Sequence, residues 1–397
     1  MNSTPSSERI HIGFFGRSNV GKSSLINAVT GQEMSLVAEE KGTTTDPVQK
    51  SMELLPLGPV VVFDTPGLDD DTKLGPLRVR RALQMLNRAD IAILVIDATA
   101  GMTAADAEIL ERIRRKQVPC IVVVNKCDVG NTGIAIEDFP VLQVSALTRQ
   151  GIEQLKNLIG QILPKENASQ NLVDDLLSEG DIAVLVTPID AAAPKGRLIL
   201  PQVQTLRNIL DLGAMGLVTQ VPQLRKTLEK LANPPKIVIT DSQAFKEVDA
   251  IVPPAVPLTS FSILFSRYKG YLSGALAGIQ ALNKLKDGDC LLISEGCTHH
   301  RQCGDIGTEK LPRLIGRHCG AKLNFEFSSG NGFPEELGKY AAIIHCGGCM
   351  VTEREMRYRA KCAEDQNIPF TNYGIVLAYL NGILQRSIAP LGLKLPL

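Results

Sequence analysis

The chain has 397 residues with 42 basic and 42 acidic side chains, so its formal net charge is zero. That length exceeds one ordinary hydrophobic core and leads us to expect two or three domains. The balanced charge gives no electrostatic footprint for nucleic acid or an anionic membrane, and no apolar run reaches the roughly 18–20 residues needed to span a bilayer. Met1 to Glu8 is polar, unlike a signal peptide, so a cytoplasmic protein is expected. Nine cysteines there argue against a disulfide framework, and seven of them fall between Cys290 and Cys362. Cysteine chemistry therefore belongs to the C-terminal third.

The first domain is expected over residues 1–165. An apolar strand from Ile10 to Phe15 runs into Gly16-Arg17-Ser18-Asn19-Val20-Gly21-Lys22-Ser23, followed by an amphipathic helix from Ser24. This G-x-x-x-x-G-K-S spacing wraps backbone N–H groups around phosphates at a helix N-terminus. Lys22 reaches the β- and γ-phosphates, and the Ser23 hydroxyl binds magnesium. A second apolar strand, Val60 to Phe63, ends in Asp64-Thr65-Pro66-Gly67, where Asp64 serves the magnesium shell and Gly67 senses the γ-phosphate. The strand Ile121 to Val124 ends in Asn125-Lys126-Cys127-Asp128. Asp128 accepts two hydrogen bonds from guanine, which adenine cannot supply, so the nucleotide is GTP or GDP. Val141 to Val144 ends in Ser145-Ala146-Leu147, a loop that backs the base. Four such loops at the carboxyl ends of apolar strands fit a parallel α/β sheet with nucleotide across its edge.

These motifs, with Gly42-Thr43-Thr44, resemble the translation-factor-related GTPases of the Era and TrmE type. The resemblance implies that Thr44 is the magnesium-binding switch threonine and that Asn19 helps hold a potassium ion. Lys22, Thr44, Asp64 and Gly67 are then the catalytic set. Leu68 stands where Ras-like enzymes carry a water-orienting glutamine, so hydrolysis by this domain alone is expected to be slow and potassium-stimulated.

The middle domain is expected over residues 170–260, after a polar linker from Pro164 to Gln170. Strands at Ile182–Val186, Leu217-Val218 and Lys236–Asp241 alternate with helices at Val203–Leu212 and Gln223–Leu231. Asp190, Lys195, Arg197 and Asp241 make no catalytic constellation, and the domain reads as an assembly surface. Pro253-Pro254-Ala255-Val256-Pro257 reads as a stiff connector.

In the C-terminal domain, residues 261–397, helical Phe261–Leu285 precedes the strand Cys290–Ser294, which breaks at Glu295-Gly296 into Cys297-Thr298-His299. After 45 further residues the strand Ala341–Ile344 ends in His345-Cys346-Gly347-Gly348-Cys349. Both loops leave the carboxyl ends of apolar strands and can meet at a switch point. Cys297, Cys346 and Cys349 then offer three thiolates to one metal centre, with His299, His300 and His345 nearby and Cys303 and Asp305 as further donors. Zinc with three cysteines and a histidine, or a four-iron cluster with one exchangeable position, both suit these ligands. Cys290 and Cys362 read as core residues.

Taken whole, the chain resembles the GTPases that act in maturation of FeFe-hydrogenase. The resemblance covers all 397 residues in order, with C-x-H and then H-C-x-x-C in the last domain. It implies three α/β domains, each on a mainly parallel sheet: a P-loop GTPase domain, a dimerisation domain and a cluster-binding domain. It also implies a 4Fe-4S cluster on Cys297, Cys346 and Cys349, with His299, Cys303, Asp305 or His345 as possible fourth ligand. A homodimer, a transient di-iron precursor made with two radical-SAM maturases, and delivery to apo FeFe-hydrogenase complete the expectation. The alternative from another class is an RNA-modification GTPase with a structural zinc site.

Overall fold

The computed structural model describes residues 8–31, 48–54, 57–65, 67, 85–130, 133–162, 172–188, 198–296, 306–330, 332–334 and 336–395. It divides into two compact units, Met1–Ala168 and Ser169–Leu397. The first unit contains β1 (Ile10–Phe15), β2 (Val48–Leu54), β3 (Gly58–Asp64), β4 (Ile91–Asp97), β5 (Cys120–Asn125) and β6 (Val141–Gln143). They form one sheet in the order β2-β3-β1-β4-β5-β6, with β2 antiparallel and the others parallel. Ile91 to Ile96 are all buried, as continuous apolar strands must be when both faces of a parallel sheet are covered.

The second unit holds two four-stranded sheets. One contains β7 (Ile182–Val186), β8 (Met215–Thr219), β9 (Ile237–Thr240) and β10 (Leu258–Ser260), in the order β10-β9-β7-β8. The other contains β11 (Cys290–Glu295), β12 (Asn324–Ser329), β13 (Ala342–His345) and β14 (Phe370–Asn372), in the order β12-β11-β13-β14. All strand pairs in both are parallel. The two sheets thus share one connection order: the first strand pairs with the second on one side and the third on the other. Their last strands match too, as Pro257-Leu258-Thr259-Ser260 and Pro369-Phe370-Thr371-Asn372. Ser260 and Asn372 each cap the next helix, accepting from Ile263 N and Ile375 N.

The stretch expected as a stiff connector is a turn inside this unit. Val256 N donates to Pro253 O at 3.0 Å, and the chain continues directly into β10 of the same sheet. The following helix, Phe261–Tyr268, packs two ways. Phe261, Leu264 and Phe265 enter the core of the β7–β10 sheet, while Ile263 enters the core of the β11–β14 sheet. Burying opposite faces of one helix joins the two sheets without a flexible link. Among the described residues no helix is long and apolar enough to cross a membrane.

Candidate functional site

At the end of β1 the phosphate loop is shaped by three positive-φ residues, Gly16 (φ 145), Asn19 (φ 62) and Gly21 (φ 91). Gly16 also has no room for a side chain, because a Cβ would lie 2.4 Å from Val95 O. Lys22 opens the helix Lys22–Thr30 and donates to Gly16 O at 3.0 Å and Arg17 O at 2.7 Å. Val20 is buried beneath the loop, while Ser24 is exposed on the first turn. Ser23 Oγ lies 2.5 Å from Asp64 Oδ2 at the end of β3. Asp64 Oδ1 is buried without a hydrogen-bond partner among the described residues, and burial raises the carboxyl pKa above its ordinary value. A hydroxyl against a buried carboxylate with an unused oxygen fits a divalent cation held between them. Gly67 approaches Ser18 so closely that a Cβ would sit 2.0 Å from its Oγ.

The base side is tied together by Asn125, which is 1% exposed. Its Nδ2 donates to Val20 O at 2.9 Å and its Oδ1 accepts from Ala146 N at 3.0 Å, joining three of the sequence motifs. Lys126 Nζ donates to Asn19 O at 2.9 Å and to Asp97 Oδ2 at 2.6 Å. Burial pushes the Asp97 carboxyl up, but hydrogen bonds from Lys126 and Thr99 outweigh it and hold it at about 2. Buried Ser145 accepts from Thr148 N at 3.1 Å, and Asp128 projects exposed from the rim. Asp97 was not foreseen from the sequence; its position at the end of β4, level with Asn125, was the available signal.

The cysteine loop lies at the switch point of the third sheet. β11 and β13 are direct neighbours, with Ser294 opposite His345. Cys346 N donates to Ser294 O at 2.8 Å, and Gly296 N returns a bond to Cys346 Sγ at 3.1 Å. Gly348 N donates to the same sulfur at 3.4 Å. Gly296 is required here, because a Cβ would lie 2.1 Å from Val351 Cγ2. Gly348, at φ 63, turns the loop toward Cys349. Burial pushes both the Cys346 and Cys349 thiols up, opposed at Cys346 by the two backbone N–H groups. Two half-buried cysteines on one short loop, one sulfur accepting N–H groups from both loops, are a donor set suited to a soft metal centre.

His345 is fully buried and engaged on both ring nitrogens. Nδ1 lies 2.8 Å from Cys346 O and Nε2 lies 2.9 Å from Arg359 Nη1. Burial, aided by the Arg359 charge, depresses its pKa to about 3, so the ring is neutral. Arg359 also donates to Glu355 Oε1 at 2.8 Å and to Gly330 O at 2.7 Å. In sequence Glu355 and Arg359 look like an ordinary surface i,i+4 pair, yet both are buried. Lys269, 3% exposed, donates to Gly348 O and to Val351 O (2.5 Å for the latter).

Thr44, Cys297, His299, Cys303 and Asp305 lie outside the described residues. The two described cysteines of the expected triad, Cys346 and Cys349, share one loop. Among the described residues no group of three or more His, Cys, Asp or Glu side chains is arranged to hold a metal ion. Cys319 Sγ bonds to Ile315 O at 3.1 Å within its own helix, a structural role. Cys290 and Cys362 are half-buried and packed against the core.

Family models match three stretches in order. Residues 11–126 match a 50S ribosome-binding GTPase model, residues 172–270 the hydrogen maturase F dimerization domain, and residues 273–390 the hydrogen maturase F tetramerization domain. A tRNA modification GTPase MnmE from Laribacter hongkongensis is 36% identical over 169 residues, covering 42% of this chain and 37% of that protein. A GTPase Der from Mycoplasmopsis pulmonis is 34% identical over 189 residues, covering 42% of this chain and 43% of that protein. This chain thus spans less than half the length of these relatives. Among solved structures, the G domain of the T. maritima FeoB iron transporter is 24% identical, covering 40% of this chain and 100% of that one, at a TM-score of 0.32. Era in complex with MgGDPNP and 16S ribosomal RNA is 18% identical, covering 81% of this chain and 92% of that one, at a TM-score of 0.34. With both of its characteristic domains side by side downstream of a GTPase domain, the chain belongs to the hydrogen maturase F family.

Proposed function

We propose that this chain is a GTP-hydrolysing scaffold that holds a 4Fe-4S cluster through Cys297, Cys346 and Cys349 and delivers a di-iron precursor to apo FeFe-hydrogenase. The observation that carries the reading is the Cys346 sulfur, which accepts N–H groups from Gly296 and Gly348 at 3.1 and 3.4 Å. Such bonds stabilise a thiolate and tune a sulfur-ligated centre, and Gly296 leads directly into Cys297. When bound, the cluster supplies an iron with an exchangeable ligand. With both His345 nitrogens engaged, the fourth position falls to His299, Cys303, Asp305 or an outside ligand. The zinc-bearing RNA-modification alternative leans on the GTPase half alone, where the MnmE relatives match.

In the GTPase unit, Lys22 turns from the Gly16 and Arg17 carbonyls to the phosphates, while Ser23, Asp64 and Thr44 hold magnesium. Gly67 offers its N–H to the γ-phosphate, Asp128 selects guanine, and Asn19 helps bind potassium. Water then attacks the γ-phosphorus and the bond to the bridging oxygen breaks, giving GDP and phosphate. Turnover is slow without potassium or a partner. The dimer forms through β8, an edge strand carrying exposed Met215, Leu217 and Val218. Two radical-SAM maturases supply the precursor.

Anaerobic reconstitution with iron and sulfide, followed by EPR, tests the cluster. Wild type is expected to give a four-iron signal that Cys346→Ser loses or alters. Absence of the signal in wild type, or its survival unchanged in the variant, would overturn the assignment.

A further inference from the structure

The helix Phe261–Tyr268 ends at Lys269, whose backbone N–H still donates to Phe265 O at 2.9 Å. This helix lies within the stretch matched by the dimerization model, with Phe261, Leu264 and Phe265 in the core of the β7–β10 sheet. Its C-terminal residue nevertheless reaches the other sheet. The Lys269 ammonium is buried and donates to the carbonyls of Gly348 and Val351, which flank Cys349 in the cysteine loop. Arg357 Nε donates back to Lys269 O at 3.4 Å, and a Cβ on Gly270 would lie 2.7 Å from the same nitrogen. Backbone and side chain of Lys269 are therefore both fixed.

A buried ammonium is expensive to desolvate and is retained where a negative charge or well-placed acceptors offset the cost. Carbonyls at both ends of the Gly348–Val351 turn supply the acceptors. The Lys269 charge opposes the burial that pushes the Cys349 thiol up. Thiolates ligating a metal would carry the negative charge.

We propose that Lys269 is the positioning residue of the cysteine loop. It fixes the Gly348–Val351 turn from the last turn of a dimerization-domain helix and supplies the fixed positive charge that favours the reduced state of the centre held there. This inference rests on the cluster reading above. It makes the helix Phe261–Tyr268 the rigid arm between the assembly surface and the metal centre.

The test uses the full-length protein as Lys269→Gln, which keeps amide donors without charge, and Lys269→Arg, which keeps the charge. Tyrosine fluorescence and GTP turnover check folding, and iron content with an EPR-monitored redox titration follows anaerobic reconstitution. Lys269→Arg is expected to retain the cluster near the wild-type potential. Lys269→Gln is expected to shift the reduction equilibrium about tenfold toward the oxidised state, which is about 59 mV for a one-electron couple, or to lose the cluster. A Lys269→Gln cluster with unchanged potential overturns the proposal, as does equal loss of cluster from both variants. Failure of either variant to fold, with its partner variant at wild-type potential, supports it only when the unfolded one is Lys269→Gln; the reverse overturns it. If wild type itself forms no four-iron signal, the cluster reading fails first.

Discussion

Arg359→Met should cost the C-terminal unit a large part of its stability. The guanidinium is 1% exposed and holds Glu355 Oε1 at 2.8 Å, His345 Nε2 at 2.9 Å and Gly330 O at 2.7 Å. Removing it takes from the Glu355 carboxylate, 7% exposed, the guanidinium that balances its charge. Breaking a buried pair in this way costs about 3–5 kcal/mol, against a total of about 5–15 kcal/mol for a typical domain. Glu355→Met should cost a comparable amount, since it leaves the guanidinium with neutral acceptors only. The double variant removes both charges and leaves His345 Nε2 and Gly330 O without that donor, a loss of about 1–3 kcal/mol per group. Its cost should therefore fall below the sum of the single costs by several kcal/mol, within the range seen for coupled neighbours. The assay is urea denaturation followed by tyrosine fluorescence. It reads this unit alone, because the chain has no tryptophan and its six tyrosines all lie between Tyr268 and Tyr379. A double variant costing the full sum of the two singles would refute the buried, coupled pair.

Asp128→Asn should weaken GTP by about 30- to 150-fold, the worth of about 2–3 kcal/mol of hydrogen bonding, and improve xanthosine triphosphate; competition binding that keeps GTP preference intact would remove Asp128 from the base site. Replacing potassium by sodium should slow phosphate release severalfold, and equal rates in both salts would take Asn19 out of the ion site. Val218→Lys places a charge on the exposed β8 edge, where Val218 is 45% exposed. Its dimer should dissociate at tenfold or more lower dilution in sedimentation analysis, and an unchanged equilibrium would move the interface elsewhere.

The GTPase motifs were legible because each is a short run at the end of its own strand, so local sequence carries the chemistry. Asn125 was legible as a base-side residue but not as the clamp between Val20 and Ala146, a contact that spans 105 residues of chain to the phosphate loop. The cysteine loop was legible by spacing. Its support was not: Lys269 lies 79 residues before Gly348, inside the run Phe261–Leu285 that reads only as helical. Glu355 and Arg359 were hidden for another reason, since an i,i+4 ion pair looks the same in sequence whether its helix face meets water or core. The proline-rich stretch misled because Pro253-Pro254 has the composition of a spacer, whereas the hydrogen bond from Val238 N to Pro257 O already belongs to the sheet.

The repeated connection order explains where the cysteine loop came to lie. In the β7–β10 sheet Val186 stands opposite Thr240, and in the β11–β14 sheet Ser294 stands opposite His345. Asp241 and Cys346 are therefore equivalent positions, each first past the third strand of its sheet. Asp241 accepts from Gln243 N and starts a helical turn at once, followed by the helix Phe245–Ile251. A capped turn of that kind satisfies an N–H group at the helix start. After Cys346 no helix starts at once, because Gly348 takes φ 63 and the helix is postponed to Glu353, behind its own Thr352 cap. The Gly348 N–H bonds the Cys346 sulfur two residues back, as the Gln243 N–H bonds the Asp241 carboxylate, but no helical turn follows it. One parallel scaffold thus starts a helix at this strand end in the copy that carries the exposed β8 edge and runs into a cysteine loop in the other.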